Sequence, residues 1–214
     1  MDGHLYPVLA RASDEELKLI HRYAQLYRQG IACEAEALTQ AILDMACPDY
    51  QSSLCHMVHH LDGTATVNDP VPEMEATLLV LLFNQALQNV HGADLVELKR
   101  GLHRYGLRNE DWSIEMKGES VNGARLQQLL LSEGLTAYLL MQEVVRVIFT
   151  HLFAHGDAQD DGGMLSNGFA TILFGQVFCL FVDILKGLFG ARYDKLIPIA
   201  VHVAMLRKRG VVRG

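Results

Sequence analysis

Histidine is the residue type best placed to do chemistry in this chain, and it occurs in pairs at helical spacing. His151 and His155 stand four residues apart in VVRVIFTHLFAHGD. At about 100° per residue both fall among Val144, Val147, Ile148 and Leu152, with Glu143, Arg146 and Thr150 on the opposite arc. A histidine on an apolar arc must find a hydrogen-bond partner, because an unsatisfied polar group in a core is costly. Two structural core histidines are therefore expected. The alternative is a metal or proton-responsive site completed by Asp157, neutral at pH 7 and charging on acidification. His56 and His60 in CHMVHH repeat the spacing, which suits a chelating pair. Their face lies opposite Leu54, Val58 and Leu61, and no HExxH accompanies them, so a solvated pair is expected.

The cations form two further groups. Lys99, Arg100, Arg104 and Arg108 gather in ELKRGLHRYGLR, with the three arginines on one row if the helix continues past Gly106. A solvated face paired with local acids is one reading, and a docking site for an acidic partner, centred on Arg100 and Arg104, is the other. The second group, Arg207, Lys208, Arg209 and Arg213, closes the chain. Residues 1–185 carry 11 Lys/Arg against 24 Asp/Glu, whereas residues 186–214 carry 7 against one, Asp194. An acidic body repels nucleic acid, so no nucleic-acid partner is expected. A basic tail beside an apolar run suits an anionic membrane surface.

Other chemistry is missing from the motifs. There is no Gly-rich phosphate loop, nucleophile elbow or triad, and no motif implies a cofactor. Cys33, Cys47, Cys55 and Cys179 form no CxxC and read as free thiols of a reducing compartment. The opening MDGHLYPVLARASDEELKLI lacks the basic start and apolar run of an export signal. The cytoplasm, or the inner face of a membrane, is the expected location.

Helices must position all these residues. SDEE at Ser13–Glu16 is a capping box before Leu17 and Ile20. Helices are expected over about 31–46, 49–63, 72–91, 94–105, 122–155 with Gly134 as a natural break, and 194–209 with Pro198 in its first turn. LLVLLF within the fourth of these lacks amphipathic alternation and predicts burial on most sides. GTATVNDPVP is the clearest linker, residues 106–123 read as irregular, and no period-two strand pattern is sustained.

The stretch 164–189 stands apart, because no charge occurs from Gly162 to Val182. Gly168, Thr171, Gly175 and Cys179 give it a small-residue side that lets another helix approach closely. From Gly168 to Val182 a helix spans about 22 Å, short of the ~30 Å of a bilayer core. A core helix is the first reading. A membrane-inserted segment is the second, supported by acids before the run and Lys186, Arg192 and Lys195 after it.

Three stretches share features with one family. ALQNVHGADLVELKRGLHRYG carries Gly92, Asp94, Arg100, Gly101 and Tyr105, and ARYDKLIPIAVHVAMLRKR carries Tyr193, Ile197-Pro198, Ala204 and Leu206-Arg207. With LARASDEELKLI before them, they resemble, in the same order, the YaaW-like family of uncharacterised bacterial proteins. Ala93 stands where the family has a second Gly. The resemblance implies an all-helical bacterial protein with no established activity and no catalytic residue to transfer.

The chain is thus expected to be all-α, a single domain (1–214) of about seven to nine helices packed around an apolar helix at 164–189. The alternative division is an N-terminal helical subdomain 1–63, a linker 63–72 and a helical core 73–209. The expected function is a non-enzymatic interaction protein with a protein partner, peripheral to the cytoplasmic face of a membrane through its apolar helix and basic tail. Its interaction residues would be Arg100, Arg104, Arg207, Lys208 and Arg209. The alternative is a metal-binding helical protein, or a metal-dependent enzyme, using His56, His60, His151 and His155.

Overall fold

The chain opens with the local signals that the sequence advertises. In the computed structural model the Ser13 backbone N–H donates to Glu16 Oε2 at 2.7 Å and the Ser13 hydroxyl donates to the same oxygen at 2.9 Å. This closes the N-terminus of helix α2 (Asp14–Tyr23), behind a single turn, α1 (Tyr6–Leu9), that has Pro at its start. The structure describes residues 3–23, 26–46, 48–115, 118–152, 193 and 195–213. The 164–189 stretch, His155 and Asp157 lie outside them.

The protein is all-α apart from one small hairpin. After a 3₁₀ turn at Leu26–Gln29 come α3 (Ala35–Met45), α4 (Tyr50–His60), α5 (Val71–Leu87) and α6 (Gly92–His103). Then follow strands β1 (Trp112–Glu115) and β2 (Gly118–Val121), and helices α7 (Gly123–Leu131), α8 (Leu135–Leu152) and α9 (Leu196–Arg213). These make nine α-helices among the described residues. Helix α4 begins where Asp49 accepts the Ser52 N–H at 2.7 Å. Gly134, at φ +93°, separates α7 from α8, a conformation that side-chain-bearing residues rarely adopt.

Two expectations are corrected. The strands, which pair antiparallel with Ser113 opposite Ser120, fall in a region that reads as irregular. β1 does alternate, as Trp-Ser-Ile-Glu, but four residues per strand are too few to sustain a period-two pattern. Helix α6 ends at His103 and Gly106 takes φ +96°, so Arg108 leaves the row of Arg100 and Arg104.

Helix α5 is the hub of the described structure. Leu78, Leu79, Val80, Leu82 and Phe83 are all buried, and α5 packs against α4, α7, α8, α9 and β2. Each such aliphatic or aromatic side chain removed from water contributes about 1.5–3 kcal/mol. Asn84 pins the hairpin to this hub, accepting the Val121 N–H at 2.9 Å and donating to the Val121 carbonyl at 3.3 Å. Helix α9 packs against α1 and α2 as well as α5 and α8. It therefore ties the start of the chain to the hub. One contiguous buried cluster includes residues from both sides of the 63–72 stretch.

Candidate functional site

The interior holds a carboxylate. Glu75, 2 % exposed, lies among Val71, Met74, Leu78 and Leu79 on α5. An isolated charge there would be prohibitive, so its oxygens need partners. Arg207 on α9 supplies a two-pronged contact, Nε to Oε2 at 2.8 Å and Nη2 to Oε1 at 3.1 Å. The buried Tyr50 hydroxyl donates to Oε1 at 3.1 Å, and Arg207 Nη2 also donates to the His4 carbonyl at 3.0 Å. Burial raises the Glu75 carboxyl above its ordinary range, against the pull of Arg207 and Tyr50. The junction joins α4, α5 and α9 to the start of the chain.

The neighbouring cations of α9 also turn inward. Arg209 bridges both oxygens of Glu16, with Nη2 to Oε2 at 2.8 Å, so the α2 capping residue is a partner of α9 as well. Burial raises Glu16, but the Ser13 N–H, Arg209 and the Ser13 hydroxyl outweigh it and leave that carboxyl lowered. Lys208, 8 % exposed, donates to the Ser132 carbonyl at the C-terminal cap of α7, the end of a helix that favours a cation. Burial lowers Lys208 from the usual lysine range, with Glu133 opposing. Nearly two turns earlier, burial brings His202 down to about 4, Glu16 opposing the effect and Arg209 adding to it. The three cations that the sequence offers as an outward-facing tail thus have internal partners.

The second assembly is an open groove of about 560 Å³ between α6 and α8. Arg104, Tyr105, Glu143, Arg146 and His151 line it. Arg146 Nε donates to Glu143 Oε2 at 2.9 Å, and Nη2 reaches the other oxygen. That contact raises Arg146, and Glu97 from across the groove raises it further. Of the acids that line the groove, Asp94, Glu97 and Glu143, it is Glu143 that pairs with Arg146. Arg100 and Arg104 remain exposed, on the same row of α6 as Val96, which is 55 % exposed. Among the described residues neither arginine has a carboxylate at ion-pair distance. Lys99, their neighbour, is used differently: it contacts Glu119 at 2.7 Å and sits 5.1 Å from the centre of the Trp112 ring, clamping the hairpin.

The histidines are not brought together. His151 is half-exposed on the groove instead of buried in the core, and its carbonyl accepts from Asn89 Nδ2 at 3.0 Å. Its place on the wheel follows Val147 and Ile148, but it sits near the end of α8, where the groove opens. His56 and His60 are exposed on α4, and the His60 ring lies 6.0 Å from that of Tyr193. Among the described residues no group of three His, Cys, Asp or Glu side chains gathers to hold a metal. No helix among them is long and apolar enough to cross a membrane. In the sequence Glu75 reads only as an acid suited to a helix N-terminus and Glu143 and Arg146 only as a polar arc; the partners of Glu75, Tyr50 among them, and the Glu143–Arg146 pairing are not foreseen. The usable signal for Glu75 was a single acid among the aliphatic residues that follow the first turn of α5.

No protein-family model, curated protein or solved structure matches the chain.

Proposed function

We propose that the protein acts by binding, not catalysis, and that the row Val96, Arg100 and Arg104 beside the α6–α8 groove docks an acidic segment of a protein partner. The observation that carries this reading is the exposure of both arginines with no carboxylate at ion-pair distance among the described residues. In a chain of net charge −7, an exposed basic row with an apolar neighbour favours an acidic, partly apolar segment. Residues four apart on a helix sit roughly 6 Å apart and can engage successive acids of such a segment. The charge-free run from Gly162 to Val182 supports a second contact, with the cytoplasmic face of a membrane.

Fluorescence anisotropy with a short labelled peptide of alternating Glu and Leu tests the docking face. The wild type should bind it in low salt and lose affinity as salt rises. The Arg100→Glu/Arg104→Glu variant should bind roughly tenfold more weakly. Equal affinity of the two proteins would remove the docking face from the account.

A further inference from the structure

We propose that the cavity between α5, the α7–α8 corner and α9 is a binding site for a small apolar monocarboxylate, with the Lys208 ammonium as the group that receives the acid. The cavity holds about 180 Å³, close to the ~150 Å³ apolar cavity of another protein that takes up benzene. Its inner wall is apolar and buried: Ala76, Leu130, Met141 and Ala204 are each 5 % exposed or less. Leu131, 38 % exposed, stands at its rim. Such walls suit a chain of roughly six carbons or one aromatic ring.

The polar side of the cavity selects the head group. Arg207 and Glu75 also line it, but they are committed to each other through two hydrogen bonds. Lys208 is not committed in this way. Its ammonium has three donors, and one goes to the Ser132 carbonyl. Among the described residues no carboxylate reaches ion-pair distance of it. Glu133, exposed at the mouth, acts on it only from further away. A largely covered cation that, among the described residues, contacts only a neutral carbonyl is stabilised by an anion delivered into the same cavity. The site shares no lining residue with the α6–α8 groove and does not depend on the α6 row's role.

Calorimetric titration of the full chain at fixed ionic strength, with hexanoate and benzoate as probes, tests the site. Both acids should bind saturably with a Kd of about 1 mM, while hexanol, benzyl alcohol and acetate should bind at least tenfold more weakly. Lys208→Met should lose about tenfold for the acids, and Lys208→Arg should recover part of it. Leu131→Glu, at an exposed position that folding tolerates, should also abolish binding. Glu133→Gln should tighten it by removing a competing charge. Absence of saturable binding by either acid, equal binding of the alcohols, or an unchanged Kd in both Lys208→Met and Leu131→Glu would overturn the proposal.

Discussion

Arg207 and Arg104 are the same residue type near the ends of two helices, and the fold gives them opposite work. Arg207 reaches a carboxylate 132 positions away and is largely enclosed with it. Arg104 is exposed beside a groove in which Arg146 pairs with Glu143. The difference follows from what surrounds each helix. Helix α9 is packed by α1, α2, α5 and α8, so Arg207 and Arg209 are partly desolvated and are paired with carboxylates inside. Helix α6 meets mainly the groove and solvent on its charged side, so its cations stay hydrated and available. A positive residue is a binding group only where the fold leaves it uncompensated.

The largest effect should come from breaking the enclosed pair. Arg207→Met strands a buried carboxylate and should destabilise the protein by about 3–5 kcal/mol in denaturant melts. Glu75→Leu combined with Arg207→Leu removes both charges and should recover most of that loss. If the double variant is as unstable as the single one, the pair is not the reason.

Acidification should act on the same side of the molecule. His202 titrates at about 4 in the fold against an ordinary 6.5. Between these values the unfolded chain binds the extra proton and the native chain does not, so stability is full above about pH 6.5 and falls as pH drops toward 4. The loss should approach about 3 kcal/mol. The lowered Glu16 carboxyl acts in the same direction, since its contribution is also lost as pH falls. Melts of His202→Leu should show a visibly shallower acid limb than wild type, and an unchanged slope would assign the acid sensitivity elsewhere.

Smaller effects sharpen the contrast. Arg209→Ala removes the contact with Glu16 and should cost about 1–2 kcal/mol. Arg104→Ala, on the exposed row, should change stability by no more than about 0.5 kcal/mol. A comparable loss from Arg104→Ala in thermal melts would mean that α6 is internally braced after all.

The contrast also marks what a sequence can reveal here. The Ser13–Glu16 capping box, the start of a helix near Asp49 and the break at Gly134 were legible because each is settled within a few residues. Burial of the LLVLLF segment was legible because its apolar residues surround the helix. The Glu16–Arg209 pair spans 193 positions and depends on where α9 docks, which no local pattern contains. His151 follows the buried Val147 and Ile148 on the wheel, but it lines the groove with Glu143, Arg146 and Thr150, because a helical wheel does not say where a neighbouring helix stops covering an arc. The Arg100–Arg104 face was readable as a row, whereas the groove beside it, lined by Asp94, Glu97 and Glu143 as well as Arg104 and Arg146, became visible only with α8 in place.

The central claim is that the exposed cations of α6, and not the enclosed cations of α9, meet the partner. Amide chemical-shift mapping during titration with the Glu-Leu peptide tests it most directly. The account predicts shifts concentrated at 94–105 and 143–151, abolished in Arg100→Glu/Arg104→Glu, with 199–209 unmoved. Shifts centred on 199–209 that survive that substitution would contradict it.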